Sequence, residues 1–404
     1  MARYEAYDDY DDLPEEQMTA AQKRQVRRKK AKRRMLRRLI VFVLTGAALV
    51  TVWKNWDTLA PDKLLSTVQD FLSGSAGSYP VDVSGAHVRR LVRAGTYTVM
   101  LSDSYLTYLD DTGGEVNRYP CNYSSPLLSH AGRYILLAEQ QGRRVQLNTR
   151  SGIVTQVDAP LPILAAAVNK KGQFAVLTQG PQGYTVQVTV YDRHGDVLYT
   201  RSRNQQATEV ALSADGKQVA LLSVQAVDGS LHSTMEVFSV TSSQTEALCS
   251  HLSEDALLYR LEYLGNGWLA AIGEKGITML DTADGLATVY DPVDKRPLGY
   301  AAAPEHIALA VRSYGHTGGG QVQIINKKGE PLCSVDFVGE FRQLSYSGEQ
   351  YLLLTDTEAV EITTTGAKRR AAVESDGQQA IISGDKAVVL GLNMVQAYSL
   401  EREK

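Results

Sequence analysis

Cysteine is scarce in this chain, and the few cysteines present are far apart. The 404 residues contain only Cys121, Cys249 and Cys333, with no C-x-x-C pair among them. This spacing argues against zinc or thioredoxin chemistry, and the odd number argues against a framework built on disulfides. We expect the three residues to act as small buried apolar side chains.

The sequence also lacks the motifs that mark common catalytic centres. Its seven histidines form no H-E-x-x-H pattern, and there is no G-x-S-x-G nucleophile elbow. The glycine-rich stretch "GHTGGG" at residues 315–320 has no lysine of the phosphate-loop type, so it is interpreted as a flexible hairpin loop. We therefore expect no catalytic motif, no metal site and no cofactor.

The first 38 residues differ from the rest in charge. They contain 12 Lys or Arg and 7 Asp or Glu, although the whole chain has a net charge of -3. Residues 1–22 hold the acids and few aliphatic side chains, which predicts a disordered acidic cytoplasmic tail. Residues 23–38 form a basic juxtamembrane segment with 11 Lys or Arg in 16 positions. We expect this segment to contact anionic lipid headgroups, and no nucleic acid, because an apolar run follows at once.

That apolar run predicts a membrane anchor over residues 39–56. It begins at Leu39 and has 15 residues without charge, fewer than the roughly 20 that span a bilayer. Flanking basic side chains can extend it by snorkelling, and Trp53 and Trp56 suit the outer interface. No signal-peptidase-type site follows closely, which favours an uncleaved signal anchor over a cleaved signal peptide. The positive-inside rule then places the N-terminus in the cytoplasm and the rest outside.

A short stalk helix and a linker are expected over residues 57–78. Pro61 suits a first helical position, Gly74 stands just past the end, and apolar residues recur between them at helical spacing. The stretch "SGSAGS" at residues 73–78 is typical of a flexible linker.

The remainder of the chain contains eight copies of one sequence motif. In "LSADGKQVALLS", which begins at Leu212, a turn is followed directly by an apolar run. The corresponding turn positions, 36 to 51 residues apart, are Gly95, Gly132, Gly172, Gly216, Gly267, Pro304, Gly348 and Gly384. Most copies continue with another strand and a turn of the form D/N/T-x-x-G. Each unit predicts four short antiparallel strands, with glycine at positive φ and Asp or Asn closing the turn.

A period near 40 residues with four strands per unit is typical of a β-propeller. One such sheet cannot cover both of its faces, whereas sheets packed around an axis cover each other. The last unit has length for three strands only, and "YPVDV" at residues 79–83 has no hairpin partner. We predict that this segment forms the outermost strand of the last blade and closes the ring. The predicted fold is all-β, a propeller of seven or eight blades over residues 79–404, with eight favoured.

With these repeats the chain resembles WD-type and quinoprotein-like β-propellers, although the Trp-Asp and Gly-His pairs of true WD repeats are missing from their usual places. It is more similar to an uncharacterised family of bacterial proteins, of Gram-positive type, with one N-terminal membrane anchor and an extracytoplasmic propeller. The resemblance covers about residues 35–400 and rests on the pattern of repeats. It implies a single-pass protein of the cell membrane and no established activity.

Two functions stay open for such a propeller. The missing catalytic motifs favour a non-catalytic binding or scaffold module of the cell envelope, for a protein, glycan or cell-wall ligand. The alternative is an enzyme or cofactor-binding propeller at the outer face of the membrane. Carboxylates or histidines that converge at the channel mouth with perturbed ionisation would favour that alternative.

Recognition is expected in two long polar loops, at residues 225–233 and 315–320, because strand residues are committed to packing between blades. The candidate binding residues in these loops are Asp228, His232, His316, Gly318, Gly319 and Gly320. Replacing Gly318, Gly319 and Gly320 is expected to leave folding nearly intact.

Overall fold

The computed structural model describes residues 77–241, 246–254, 256–347 and 349–402. In these ranges the regular structure is entirely β, with 33 strands in eight antiparallel sheets. The predicted tail, anchor and stalk lie outside the described residues, as does Gly348. Within the ranges that are described, no helix has the length and hydropathy needed to span a membrane.

Each sheet is one blade of a propeller, and the strands of a blade follow one another outward from the axis. Blade 1 contains β2 (Val88–Ala94), β3 (Tyr97–Ser102), β4 (Tyr105–Leu109) and β5 (Glu115–Pro120). Blade 2 contains β6 (Pro126–Ala131), β7 (Tyr134–Glu139), β8 (Arg144–Thr149) and β9 (Gly152–Asp158). Blade 3 contains β10 (Ile163–Val168), β11 (Phe174–Gln179), β12 (Val186–Tyr191) and β13 (Val197–Arg203). Blade 4 contains β14 (Ala207–Leu212), β15 (Gln218–Val227), β16 (Ser230–Ser239) and β17 (Cys249–Ser253).

The second half of the ring repeats this plan and ends with two additions. Blade 5 contains β18 (Leu258–Leu264), β19 (Trp268–Gly273), β20 (Ile277–Asp281) and β21 (Ala287–Tyr290). Blade 6 contains β22 (Lys295–Ala302), β23 (His306–Ser313), β24 (Gly320–Asn326) and β25 (Pro331–Phe337). Blade 7 contains β26 (Phe341–Ser347), β27 (Gln350–Thr355), β28 (Glu358–Thr363), β29 (Gly366–Ala372) and, as a fifth strand, β33 (Glu401–Arg402). Blade 8 contains β30 (Gln379–Ser383), β31 (Lys386–Leu390), β32 (Met394–Ser399) and β1 (Val81–Asp82).

The ring has eight blades and is closed as predicted. The first strand of every blade contacts the first strands of both neighbours, including β30 of blade 8 with β2 of blade 1. The closing strand is β1, in which Val81 lies opposite Val395 and Asp82 opposite Met394. Beyond the ladder, the amide of Val83 donates a hydrogen bond of 2.8 Å to the carbonyl of Asn393. The strand β33, which pairs with β29, was not predicted.

The core consists of eight apolar clusters, one between each pair of neighbouring blades. Between blades 3 and 4, for example, Val188, Leu221 and Phe238 are almost completely buried. Because each blade is covered on both sides, its second strand is an apolar run without alternation, as in "YILLA" of β7. Of the cysteines, Cys121 is buried as expected, whereas Cys249 and Cys333 are half-buried; none of the three forms a disulfide.

The turns have the side-chain hydrogen bonds and the positive-φ glycines that the repeated motif predicts. At the turn from β12 to β13, Asp192 Oδ1 accepts hydrogen bonds from the amides of His194 at 2.8 Å and Asp196 at 2.9 Å. Gly195 in this turn has φ 92°, in the region that favours glycine. Blade 5 differs in one respect: Gly265, with φ 75°, takes the left-handed position that we expected for Gly267. It does so because β18 ends at Leu264, so Gly265 is the first turn residue.

Alternation of strand direction gives the ring two distinct faces. The turn face carries the turns between first and second strands and between third and fourth strands. The hairpin face carries the turns between second and third strands and the connections from one blade to the next. The described chain begins at the turn face, where the amide of Tyr79 donates to the carbonyl of Thr112 at 3.0 Å and Ser78 bridges to Gly113. These partners belong to the turn between β4 and β5 of blade 1.

Candidate functional site

The longest hairpin of the propeller lies in blade 4, on the hairpin face. Strands β15 and β16 have ten residues each and pair along their whole length, from Gln218 opposite Ser239 to Val227 opposite Ser230. The next strand, β17, pairs with β16 only as far as Ser233. Residues 225–232 therefore extend beyond the outer strand as a two-stranded arm.

This arm replaces the loop that the sequence predicted at residues 225–233. Asp228 and Gly229 form its two-residue turn, with φ of 50° and 88°. Positive φ at both central positions is the type I′ geometry, in which Asp-Gly is among the favoured pairs and which lets both strands continue to the tip. The predicted long loop is thus a pair of strands, because the Asp-Gly pair acts here as a tight hairpin turn.

The candidate residues of the arm differ in their surroundings. Asp228 is exposed at the tip, and His232 is half-buried on the strand opposite Gln225. At the base, Ser233 Oγ donates to the carbonyl of Ala256 at 2.7 Å and accepts from the amide of Leu258 at 3.0 Å. The arm is therefore fixed at its base to the connection that enters blade 5.

The glycine-rich segment forms a loop at residues 314–319 on the hairpin face of blade 6. Gly315, Gly318 and Gly319 have φ between 67° and 79°. The buried Arg312 holds the end of the loop, because its Nε donates to the carbonyl of Gly319 at 2.7 Å and its Nη2 donates to Glu340 at 3.2 Å. His316 is exposed, and its amide donates to the carbonyl of Ser313 at 3.3 Å.

Two of the three candidate glycines in this segment have a structural role. Gly320 belongs to β24, and a Cβ atom there would lie 2.5 Å from the Val311 carbonyl oxygen and 2.7 Å from Phe337 Cζ. A Cβ atom at Gly319 would lie 2.9 Å from the Phe337 carbonyl oxygen. The expectation that replacing all three glycines leaves folding intact is therefore wrong at these two positions. Only Gly318 would place its Cβ atom at an ordinary contact distance, 3.8 Å from Glu340 Oε1.

The structure places both sets of candidate residues on one face but does not bring them together. The arm belongs to blade 4 and the loop at residues 314–319 to blade 6, with blade 5 between them. Between its second and third strands blade 5 has only a short turn, at residues 274–276. The two projections therefore flank a shorter hairpin.

A polar cluster that the sequence analysis missed lies at the centre of the same three blades. It consists of side chains from their first strands: Glu209 of blade 4, Arg260 and Glu262 of blade 5, and Tyr300 of blade 6. Arg260 Nη1 lies 2.7 Å from Glu209 Oε1, and the Tyr300 hydroxyl donates to Glu262 Oε1 at 3.3 Å. We call these four residues the channel cluster, because the first strands surround the propeller axis. Glu209 and Arg260 lie towards the hairpin-face ends of their strands.

Burial alters the ionisation of both carboxyl groups. Burial raises the pKa of Glu262 to about 7, with a further increase from Glu209, while Arg260 and the Tyr300 hydrogen bond act in the opposite direction. Burial also raises the pKa of Glu209, opposed by its ion pair with Arg260. Burial raises the pKa of the Tyr300 phenol, so this group is a hydrogen-bond donor at neutral pH. The cluster thus combines a fixed ion pair with a carboxyl group that is partly protonated near pH 7.

A signal for this cluster is present in the sequence. Glu262 stands within the largely apolar sequence "LYRLEYL" of β18. An ionisable residue in a buried strand is a candidate for a shifted pKa. Its partners come from three separate blades, so only the folded ring identifies them. In the described part of the chain, no three His, Cys, Asp or Glu side chains are grouped in the way a metal ion requires.

Comparison with known proteins gives a family and several solved propellers. The family model that matches, over residues 78–395, is described as a family of unknown function, DUF5711. BamB from Moraxella catarrhalis is 12% identical, with TM-score 0.48 over 79% of this chain and 99% of that one. Hydrazine synthase from Kuenenia stuttgartiensis is 12% identical, with TM-score 0.46 over 79% and 98%. The Pan2 WD40 domain from Neurospora crassa is 8% identical, with TM-score 0.46 over 79% and 91%. No curated protein matches the chain.

Proposed function

Because the chain belongs to DUF5711, a family of unknown function, we propose a role from its own geometry: a non-catalytic binding or scaffold module of the cell envelope. The observation that carries this proposal is the concentration of projecting and polar groups in one sector of the ring. Blades 4 to 6 contribute the arm, the loop at residues 314–319 and the channel cluster. Together they form a recessed polar centre between two projections.

The form of this sector suits an extended polar ligand, such as a protein segment or a glycan. The arm presents Asp228 and the exposed side chain of Leu231, and the loop presents Tyr314 and His316. Exposed aromatic and polar side chains on fixed supports are common at binding surfaces. The half-buried Glu262, which accepts the hydrogen bond of the Tyr300 hydroxyl, then offers its carboxyl group to a ligand group that reaches the centre.

The cellular setting belongs to the same proposal. Residues 39–56 anchor the chain in the cell membrane as a single span, with the N-terminus cytoplasmic and the propeller outside the cytoplasm. Residues 23–38 contact anionic headgroups on the cytoplasmic side. The resemblance to Gram-positive membrane-anchored propellers supports this arrangement.

Crosslinking in native membranes, with one set of variants on each face, tests the binding proposal. One variant shortens the arm by replacing residues 226–231 with Asn-Gly, which keeps Gln225 opposite His232. A second carries Tyr314→Ala and His316→Ala in the blade 6 loop. The matched controls, Lys171→Ala and Arg193→Ala, change exposed residues of the turn face. We expect the hairpin-face variants to lose the crosslinked partner and the controls to retain it.

The opposite pattern would place recognition elsewhere. If capture survives all hairpin-face variants and Arg260→Ala, but is lost when residues 39–72 are exchanged, the propeller acts as a spacer. Melting temperatures measured for all variants show whether loss of folding is the cause. Changes on exposed turns usually cost little stability, so we expect the variants at exposed positions to melt like wild type.

The second candidate function is an enzyme, and the raised pKa of Glu262 is the observation that favours it. A carboxyl group with a pKa of about 7 can donate or accept a proton near neutral pH. The two functions differ in the expected effect of Glu262→Gln and Glu209→Gln on a captured ligand. An enzyme would lose turnover of that ligand and retain binding, whereas a binding module would show no turnover in any variant.

A further inference from the structure

Three of the four most exposed large apolar side chains in the described residues lie at one end of blade 6. Val338 is 80% exposed, Val293 is 73% exposed and Tyr314 is 66% exposed. We call these three residues the apolar row. They lie in three segments that all belong to the hairpin face, at residues 291–294, 314–319 and 338–340. Exposed apolar side chains that are grouped in this way are typical of interaction surfaces.

Backbone hydrogen bonds hold the three segments together. The amide of Tyr314 donates to the carbonyl of Asp294 at 3.3 Å, and the amide of Gly319 donates to the carbonyl of Gly339 at 2.6 Å. Asp294 and Gly339 each directly follow one of the valines of the row. The row is therefore already assembled in the free protein, so a partner has little ordering to impose on these segments when it binds.

The row has the dimensions of a short extended peptide. Val293 stands before the first strand of the blade, β22, and Val338 stands after the fourth, β25, with Tyr314 between them at the end of β23. Neighbouring strands are about 4.8 Å apart, so the row spans roughly 14 Å. In an extended peptide, alternate side chains point to the same side about 6.8 Å apart, so three of them cover roughly the same length.

Carboxylate groups surround the row. The acidic residues of the three segments, Asp291, Asp294 and Glu340, are all exposed, and the segments contain no Lys or Arg. The nearest exposed arginines in the sequence, Arg296 and Arg342, lie on the first strands of blades 6 and 7, which surround the axis. Carboxylates beside apolar side chains attract Lys and Arg of a partner, and they oppose the phosphate groups of anionic lipids.

We propose that the apolar row binds an extended polypeptide segment that has apolar side chains at alternate positions and Lys or Arg beside them. This inference rests on the proposed binding role of blades 4 to 6 and names the partner as a protein. Valine side chains offer no hydrogen bond to the hydroxyl groups of a sugar, whereas they bury well against aliphatic side chains. The carboxylates then steer the basic segment and select against acidic ones.

Selection from a library of short random peptides displayed on phage, against the immobilised full chain in mild detergent, tests this proposal. The discriminating variant carries Val293→Ser and Val338→Ser. The matched control, Leu286→Ser, removes a side chain that is 68% exposed on the turn face. We expect the selected peptides to bind wild type and control alike, and the valine variant at least about tenfold more weakly, because a few central side chains carry most of the binding energy. All these positions are exposed, so the melting temperature should stay that of wild type.

A second comparison tests the charge. The variant with Asp291→Asn and Asp294→Asn keeps the size of both side chains and removes two carboxylates. We expect the selected peptides to carry Lys or Arg, and to bind this variant more weakly than wild type, with a smaller loss at high salt. Asp196→Asn, an exposed position of the turn face, is the matched control and should bind as wild type does.

The outcomes separate this inference from the proposed function. Equal binding of the peptides to wild type and to the valine variant overturns the inference, and if the same peptides are lost when the arm is shortened, recognition by blades 4 to 6 stands. Selected peptides without Lys or Arg also overturn it. If no peptide is enriched on wild type, a polypeptide partner is ruled out, and the crosslinking of the arm and loop variants still decides whether this sector binds a glycan.

Discussion

At the scale of single residues, Glu262 makes folding stability depend on pH. In the unfolded chain this carboxyl ionises near pH 4.5, whereas burial raises its pKa in the folded ring to about 7. Between these two values the folded state holds a proton that the unfolded state releases, so the free energy of unfolding falls as pH rises. The full difference is about 2 kcal/mol once the partial exposure of the side chain is considered, and it is reached about one pH unit above the folded-state pKa.

The variant Glu262→Gln isolates this effect, because it removes the titration and leaves an amide that Tyr300 can still contact. Chemical denaturation from pH 4.5 to pH 8 should show wild type and variant alike at the acidic end and the variant more stable at the basic end. Glu330→Gln, an exposed turn residue, serves as the control and should follow wild type throughout. A constant difference between Glu262→Gln and wild type over this range would contradict the assignment.

Two neighbouring glycines in the blade 6 segment should respond differently to alanine. At Gly320 the new methyl group meets the Val311 carbonyl and the Phe337 ring, so we expect a loss of about 2 kcal/mol from overpacking. At Gly318 the methyl group would make only an ordinary contact, with Glu340 Oε1 at 3.8 Å, so the positive φ of 72° is what opposes alanine, at about 1 kcal/mol. Urea denaturation of Gly318→Ala and Gly320→Ala checks the order, and equal losses would refute the steric argument.

At the scale of elements, two strands of two residues have unequal importance. The strand β1 completes blade 8 and closes the ring, whereas β33 adds a fifth strand to a blade that already has four. Replacing residues 79–84 with a Gly-Ser linker should lower the melting temperature of the whole propeller. Removing residues 401–404 should change it little. Comparable melting temperatures for both variants and wild type would show that the pairing of β1 with β32 does not hold the ring together.

The elements that could be predicted from the sequence are those whose signals are local. A turn with Asp and Gly followed by an apolar run specifies a hairpin by itself, and eight copies specify eight blades. The closing strand could also be predicted, because "YPVDV" had no partner while the last blade lacked a strand. The strand β33 could not, because "ER" has no apolar pattern and its pairing with β29 depends on the folded edge.

The candidate site was only partly predictable for the same reason. Asp228 and His316 were both assigned to loops from adjacent sequence, and both lie on the hairpin face, although Asp228 is the turn residue of a two-stranded arm. The role of Arg312 depends on Gly319 and on Glu340 of the next blade, and the channel cluster joins three blades. Contacts between residues of different repeats, which are far apart in the sequence, leave no pattern in the local sequence.

At the scale of the whole molecule, the proposed topology makes a prediction about where the propeller lies. Moving the 11 positive charges of residues 23–38 across a bilayer is opposed by their hydration and by the membrane potential. Protease added to intact protoplasts should therefore digest the propeller and spare the N-terminal tail. Protection of the propeller, with digestion only after lysis, would reverse the proposed topology and would reopen nucleic-acid binding by the basic segment.

The closure of the ring by its own first strand has a mechanical consequence. Blade 8 holds β1 by two ladder pairs and the bond from Val83 to Asn393. Tension applied through residue 77 would load the contacts of Ser78 and Tyr79 with the blade 1 turn first and then these few bonds. A force on the N-terminal segment would therefore detach β1 and open the ring at blade 8 while the hairpins of the other blades stay intact.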